Sequence, residues 1–171
     1  MSMRTIVVLL GAVIVLASSQ HTVTAAGQFP RGLLAASQDG GCVIETRPVT
    51  FGNYDTANPV PLDSQGQIIF TCSPVGGSGS IKNVRINISR GQAGSYDRSM
   101  AGGSARLRYN LYLDSTRQQI WGDGTSGTDY YFDPHPSPNT PYTLPIYGRV
   151  LALQAVPLGS YADSLQIELL F

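Results

Sequence analysis

The chain has 171 residues, with 11 basic and 11 acidic side chains and a formal net charge of zero. Charged residues make up only 13% of it, which argues against a disordered polymer, a nucleic-acid-binding surface or a basic membrane-binding patch. The 19 glycines and 11 prolines are spread between short apolar runs, a composition typical of a turn-rich β protein.

Residues 1–26 have the pattern of a secretory signal peptide. Arg4 supplies a positive charge, an apolar run extends from Thr5 to Ala17, and small and polar residues follow. A membrane span needs about 20 apolar residues, so this run is too short, and we expect no transmembrane segment in the mature chain. Cleavage after Ser19 and cleavage after Ala26 both fit the pattern.

Cys42 and Cys72 are the only cysteines. In an exported protein two cysteines are read most simply as one disulfide bond, because a metal site would need more ligands. A pair of free reactive thiols is the alternative, although a C-x-x-C redox spacing is absent. Residues 27–171 are enough for one domain with its own core.

Short apolar runs separated by turn residues predict a series of β-strands after the signal peptide. Alternation between apolar and polar residues is the main indication, and no stretch after the signal shows sustained helical periodicity. A long loop is predicted from Thr125 to Pro141. About six to eight strands spaced by turns favour a sandwich of immunoglobulin-like type. The predicted strands are Cys42–Phe51, Gln67–Cys72, Val84–Ile88, Leu107–Leu113, Ile120–Trp121, Tyr142–Val156 and Ser164–Phe171.

The last predicted strand is apolar on one face. Leu165, Ile167, Leu169 and Phe171 alternate with mostly polar residues, which predicts that this face belongs to the core. Because the sequence ends here, we expect this strand either to be paired on both sides or to leave an apolar edge for another chain.

A set of short motifs occurs in order from Cys42 to the last residue. The motifs are Val49-Thr50-Phe51-Gly52-Asn53-Tyr54-Asp55, Gly66-Gln67-Ile68 ahead of Cys72, Arg98-Ser99-Met100, Leu107-Arg108-Tyr109-Asn110-Leu111-Tyr112-Leu113-Asp114, Trp121-Gly122-Asp123-Gly124-Thr125, Tyr147-Gly148-Arg149 and Gly159-Ser160-Tyr161-Ala162-Asp163. In this combination they resemble the spore coat protein U family, which includes the pilins of archaic chaperone-usher pili.

The resemblance implies an all-β fold, an incomplete immunoglobulin-like β-sandwich that is completed by a donor strand from another chain. In such families a periplasmic pilus chaperone lends this strand first. At an outer-membrane usher, the N-terminal extension of a neighbouring pilin subunit then replaces it. The resemblance therefore implies export through the periplasm to a fimbrium or coat on the cell surface, a role in adhesion or biofilm formation, and no cofactor.

On the acceptor side, we expect a groove with an apolar floor. Its residues are Leu165, Ile167, Leu169 and Phe171 in the last strand, with Ile44 on the opposing strand. Ordinary core packing explains the same five residues, and the two interpretations coexist because a groove floor is core once it is filled.

On the donor side, we expect the extension at residues 27–40 to supply a strand ahead of the pilin domain at residues 41–171. Arg31 falls in the apolar register of this extension, and Pro30 and Gly32 weaken it as a strand. A disordered N-terminal tail is the alternative. The candidate donor residues are Phe29, Leu33 and Ala35.

We expect no catalysis and no metal site. His135 lies in a Pro-flanked surface turn, no G-x-S-x-G motif occurs, and Glu168 points away from the apolar row of its strand. The aspartates at positions 123, 129 and 133 do not have the spacing of an EF-hand loop. Trp121, on a short strand next to glycine, is read as a core anchor rather than as a platform for a sugar.

The competing hypothesis is a monomeric, secreted, carbohydrate- or surface-binding β-sandwich. In this hypothesis the binding surface uses the aromatic side chains of the long loop and its flank. In the pilin interpretation the same side chains fold over the open end of the sandwich. These residues are Tyr130, Tyr131, Phe132 and Tyr142.

Overall fold

The computed structural model describes residues 5–15, 41–74 and 79–171, and within them the regular elements are nine β-strands and one short 3-10 turn at Gly91–Ala93. The predicted all-β class is therefore confirmed. The strands are β1 (Thr5–Val15), β2 (Gly41–Arg47), β3 (Leu62–Ser73), β4 (Val84–Ile88), β5 (Ser99–Gly102), β6 (Ala105–Tyr112), β7 (Tyr131–Asp133), β8 (Tyr142–Val150) and β9 (Ser160–Leu170).

The strands pair in the order β2-β3-β8-β6-β5-β9-β4-β7, and β1 pairs with β9 off this path. Neighbouring strands are antiparallel throughout. The ladder folds over at β5 and β6, so that the layer β2-β3-β8-β6 faces the layer that contains β9, β4 and β7. Phe70 of β3 meets the ring of Tyr131 of β7 across the core, edge to face at 5.8 Å between centroids.

The core between the two layers is built from the residues that the alternation predicted. Val84, Ile86 and Ile88 of β4 are fully buried, and Ile68, Phe70 and Cys72 of β3 are at most 1% exposed. Trp121 is also fully buried, and its Nε1 donates a hydrogen bond of 2.9 Å to the carbonyl of Ile86. It is a core anchor, as predicted.

Part of the predicted loop from Thr125 to Pro141 is a strand, so the prediction was wrong there. Tyr131–Asp133 forms β7, which pairs with β4 over three residues at the edge of its layer. Three residues are too few for alternation to be visible in the sequence. The strand exists because β4 offers it a partner.

The predicted strand Tyr142–Val156 ends early, at Val150. Leu153 adopts a left-handed backbone conformation with φ of 55°, which a continuing strand does not allow. Beyond Val150 the side chain of Gln154 forms the hydrogen bonds that a backbone ladder would otherwise form with β6. Its Oε1 accepts from the amide of Arg108 at 2.7 Å, and its Nε2 donates to the carbonyl of Arg108 at 2.9 Å.

The glycine-rich segment Ala101-Gly102-Gly103-Ser104 begins inside a strand that is not among the predicted ones. Ser99–Gly102 forms β5, which pairs with β6. A Cβ on Gly102 would lie 2.7 Å from the ring of Tyr161, so the glycine is needed for the close approach of β5 to that ring.

The core of the predicted signal peptide is also extended. Thr5–Val15 forms β1, while the predicted extension at residues 27–40 lies outside the described residues. Among the elements that the structure describes, no helix has the length and apolarity to span a membrane.

A disulfide bond joins Cys42 and Cys72, as predicted. The two cysteines lie directly opposite each other in the β2–β3 register, and the bond closes a loop with a sequence separation of 30 residues. It ties β2, which is an edge strand, to β3, which has partners on both sides.

We predict that replacing Cys42 and Cys72 together by alanine lowers the free energy of unfolding of the full-length chain by about 3 to 4 kcal/mol, because the unfolded chain regains the entropy of the open loop. Urea unfolding followed by the fluorescence of Trp121 measures this change. A reducing agent should destabilise the unsubstituted chain by a similar amount and leave the variant unaffected. Equal stability of the two proteins would contradict the prediction.

Candidate functional site

The candidate site is the side of β9 that pairs with β1. The pairing is antiparallel and covers all 11 residues of β9, from Thr5 opposite Leu170 to Val15 opposite Ser160. The other side of β9 pairs with β4 and, at one residue, with β5. If β1 is removed, the first side becomes a continuous row of unpaired N–H and C=O groups.

The inward face of β9 is entirely buried beneath this edge. Leu165, Ile167 and Leu169 are each 0% exposed, while Ser164 and Gln166 are exposed on the outer face. Phe171 is partly buried against the same core. The predicted burial of the row is thus observed, whereas its role as an acceptor groove stays a prediction.

The opposite wall of the site is β2, the edge strand of the other layer. Ile44 on β2 is 5% exposed and belongs to the same hydrophobic cluster as the β9 row. The ring of Phe171 lies 4.0 Å from the position that a Cβ on Gly41 would take, so β2 begins beside the end of β9. The structure therefore brings all five predicted acceptor residues into one core beneath one edge.

The β1 register shows what kind of strand this edge accepts. Residues that lie directly opposite each other in an antiparallel pair share a face of the sheet, so the counterparts of the inward residues of β9 are the β1 positions directly opposite them. All of these β1 positions carry apolar residue types. The smallest of them, Ala12, lies opposite Asp163, the one residue of the inward row with a carboxylate. The pairs are Ile6 with Leu169, Val8 with Ile167, Leu10 with Leu165, Ala12 with Asp163 and Ile14 with Tyr161.

The other side of β9 is anchored by side chains where its strand partner changes from β4 to β5. The amide of Gln166 donates to Ser89 Oγ at 2.9 Å. Asp163 is 1% exposed, and its carboxylate accepts from the amide of Gln92 at 3.0 Å and from the hydroxyl of Tyr109 at 2.7 Å. None of these bonds involves β1.

A buried arginine completes this anchor. Arg98 is 0% exposed, and its guanidinium donates to the carbonyls of Ser89 at 2.8 Å and of Trp121 at 2.7 Å, and to Asn110 Oδ1 at 2.7 Å. A further bond of 3.1 Å reaches the carbonyl of Ile88. One side chain thereby joins the end of β4 to β6 and to the Trp121 segment.

Burial dominates the electrostatics of this cluster. Burial lowers the pKa of the Arg98 guanidinium from its ordinary value, while the nearby Asp163 acts in the opposite direction. Burial raises the pKa of Tyr109 far above its ordinary value, and the charge of Asp163 raises it further. Tyr109 therefore keeps its proton and remains a donor to Asp163 at neutral pH.

The sequence interpretation did not single out Arg98, Asn110 or Asp163 as residues that position the site. For Asp163 a signal was present, because it falls in the same inward register as Leu165 and Ile167. For Arg98 no local signal exists, since its partners are carbonyls brought together by the tertiary fold.

The remaining predicted residues divide into two groups. The candidate donor residues Phe29, Leu33 and Ala35 lie outside the described residues. Two of the three aspartates that were considered as calcium ligands stabilise their own turns, because Asp123 Oδ1 accepts from the amide of Thr125 at 2.9 Å and Asp133 Oδ1 accepts from the amide of His135 at 2.9 Å.

We predict that Arg98→Met lowers the free energy of unfolding by about 3 to 5 kcal/mol, because it leaves buried carbonyls without a donor. Urea unfolding of the full-length chain measures the loss. Arg106→Met, at an exposed arginine of β6, is the matched control and should change stability by less than about 0.5 kcal/mol. Similar losses for both variants would contradict the assigned role of Arg98.

Comparison with known proteins places this architecture in a family. The model of the Spore Coat Protein U domain matches residues 32–168. A search of curated protein sequences found no match.

The similar solved structures include a pilus tip adhesion subunit, an adhesin and a fimbria protein, all from bacteria. One is the CsuC-CsuE chaperone-tip adhesion subunit complex from archaic chaperone-usher Csu pili of Acinetobacter baumannii, with 20% identity and a TM-score of 0.53 over 77% of this chain and 40% of that chain. The AfaE-3 adhesin from Escherichia coli shows 11% identity and a TM-score of 0.43, over 95% of this chain and 93% of that chain. The type I fimbria protein of Burkholderia pseudomallei shows 12% identity and a TM-score of 0.40, over 99% of this chain and 100% of that chain.

The first of these likenesses shows a shared fold, and this chain spans less than half of the protein in that comparison. The predicted immunoglobulin-like β-sandwich is confirmed. The matched family consists of structural subunits rather than enzymes, which confirms the expectation that the chain is not a catalyst. The chain belongs to the Spore Coat Protein U domain family.

Proposed function

We propose that the chain is a structural subunit of a bacterial surface fibre, assembled by insertion of a strand from another chain along β9. One observation carries the proposal. A segment from outside residues 41–171, the strand β1, fills the whole length of one side of β9. The domain thus has an edge, with core residues beneath it, that a strand from elsewhere completes.

Export supplies the reason why the edge becomes open. β1 coincides with the apolar run of the proposed signal peptide at residues 1–26, so cleavage after Ser19 or Ala26 removes it. The exported domain then lacks a partner for one side of β9, and the inward residues of β9 lie next to an open edge. An open apolar edge of this length is a site for pairing with another chain.

The energy available at this edge is large. Burying about four medium-sized apolar side chains of a donor strand contributes about 6 to 12 kcal/mol before the cost of ordering that strand. Each hydrogen bond of the ladder adds about 0.5 to 1.5 kcal/mol net. A joint of this kind lasts without a covalent link, which is what a fibre requires.

The partners follow from the same edge. A periplasmic pilus chaperone covers it first, an outer-membrane usher hosts the exchange, and residues 27–40 of a neighbouring pilin subunit form the lasting strand. The complex of a chaperone with a tip adhesion subunit among the similar structures supports the first step. The resulting location is the cell surface, reached through the periplasm, with adhesion or biofilm formation as the role of the fibre.

A monomeric carbohydrate-binding sandwich has less support, because its proposed aromatic surface is divided. Tyr142 stacks on Phe70 at 5.0 Å between ring centroids, and Tyr131 meets the same ring edge to face. These two side chains serve the core. Tyr130 and Phe132 are left exposed, at 39% and 50%.

We predict that Ile167→Asp abolishes capture by the chaperone and incorporation into fibres while export continues, because a carboxylate on the groove floor cannot be buried by a donor strand. Co-purification from the periplasm and the yield of sheared fibres measure the two effects. Gln166→Asp is the matched control, since it places the same charge on the exposed face of the same strand and should leave both readouts unchanged. Normal fibre yield from Ile167→Asp would refute the proposal.

We predict that deleting residues 28–36 removes the ability to donate a strand but preserves the ability to accept one. A synthetic peptide of residues 27–40 should bind the chaperone-delivered deletion variant as well as it binds the undeleted chain. The variant should stop fibre growth when it is mixed with the undeleted subunit. Undiminished fibre growth from the variant alone would show that the donor lies elsewhere.

A further inference from the structure

An open pocket lies on the outer face of β9, where the strand partner changes from β4 to β5, and its volume is about 500 Å³. The backbone amides of Gln92 and Ser164 donate to the Asp163 carboxylate, and that of Gln166 donates to Ser89 Oγ. These residues therefore offer side-chain amide and hydroxyl groups to the pocket. We call it the polar pocket, and it is lined chiefly by Ser89, Arg90, Gln92, Asp123, Ser164 and Gln166.

The two charged side chains of the polar pocket are held by one loop residue. Thr125 Oγ1 accepts from Arg90 Nη2 at 3.1 Å and donates to Asp123 Oδ1 at 2.5 Å. The Arg90 guanidinium also lies 5.1 Å from the centre of the Tyr96 ring. One cation and one anion, joined through a hydroxyl, leave the pocket without a net charge, so it does not select a ligand by the sign of its charge.

Two exposed aromatic rings lie on the outer face of the same layer. Tyr131 faces the core, where it meets Phe70, so its neighbours Tyr130 and Phe132 face outward, with 39% and 50% exposure. The Arg85 guanidinium lies 3.7 Å from the centre of the Tyr130 ring, and Phe132 is directly opposite Arg85 in the β4–β7 register. We call Tyr130 and Phe132 the aromatic pair.

Hydrogen bonds connect the polar pocket with the aromatic pair. Glu168 follows Gln166 on the outer face of β9, and its Oε2 accepts from Asn87 Nδ2 at 2.9 Å. Asn87 Oδ1 accepts in turn from Arg85 Nε at 2.8 Å. Arg85 Nη2 also donates to the carbonyl of Asp123, a residue of the pocket. The pocket, the pair and the residues between them form one continuous surface, which we call the outer-face surface.

We propose that the outer-face surface binds a neutral oligosaccharide. The amide, hydroxyl and carboxylate groups of the polar pocket can donate to and accept from sugar hydroxyls, while the aromatic pair can pack on the C–H face of a sugar ring. The guanidinium groups of Arg85 and Arg90 balance the carboxylates of Asp123 and Glu168, which fits an uncharged ligand. The surface is open and extends across β9, β4 and β7, so it accommodates a sugar chain.

The inference rests on the proposed function in one respect, which is the number of sites. A donor strand pairs with β9 in the plane of the sheet and leaves the outer face uncovered. Each subunit of a fibre then presents one outer-face surface, and several sites together hold a polysaccharide more strongly than one does. This site differs from the aromatic surface of the monomeric hypothesis, because Tyr131 and Tyr142 serve the core and take no part in it.

Binding of sheared fibres to an array of immobilised neutral and acidic oligosaccharides tests the inference, the neutral ones being built from glucose, mannose or galactose. We expect fibres of the unsubstituted chain to bind at least one neutral oligosaccharide. Phe132→Ala and Gln166→Ala should each weaken this binding at least about tenfold, because each removes a contact at one end of the surface. Both side chains are exposed, so the yield of fibres should not change.

The matched controls are Leu158→Ala and Gln65→Ala, which remove similar exposed side chains from a loop and from the other layer. Both should bind as the unsubstituted fibres do. Fibres that bind no neutral oligosaccharide, or that lose binding equally in the controls, would overturn the inference and leave the proposed function standing. Binding to acidic oligosaccharides alone would overturn it as well. If no fibres form, the proposed function fails, and the exported monomer is applied to the same array with the same expectations.

Discussion

The structure depends on one constraint, which is that β9 must be hydrogen-bonded on both sides. β9 contributes its inward row to the centre of the core, and Leu165, Ile167 and Leu169 are completely buried. If a strand with such a row lies at an edge that is open to water, the apolar residues next to that edge become exposed. β4 and β5 provide one partner, while the strand on the other side comes from outside residues 41–171. The proposed role of a second chain follows from this division.

The side of β9 that pairs with β4 and β5 explains how the other side can be specific for the proposed donor strand. Hydrogen bonds from Arg98 and Tyr109, and the buried carboxylate of Asp163, hold the strand and its neighbours with partners inside the domain. In the proposed assembly the contacts on this side of β9 do not involve the donor strand, so a donor does not have to organise them. The opposite wall is held as well, because the Cys42–Cys72 disulfide ties the edge strand β2 to the interior of its layer.

Alternation in the sequence was enough to predict the strands that contribute long rows to the core, including β9 and its inward residues. It failed where tertiary contacts decide the structure. β7 is a strand only because β4 pairs with it, and β8 ends at Val150 because the side chain of Gln154 replaces the ladder. The acceptor residues of the site were predictable as a core row, whereas Arg98 was not, since its partners are distant carbonyls.

The proposed signal segment and a donor strand are interchangeable at this edge for a physical reason. Insertion into an export pathway requires a short apolar segment, and filling the edge requires apolar residues at alternate positions over about the length of β9. β1 satisfies both requirements, since apolar residue types lie opposite every inward residue of β9, with Ala12 opposite Asp163. The proposed donor at residues 27–40 is less apolar and is interrupted by Pro30 and Gly32.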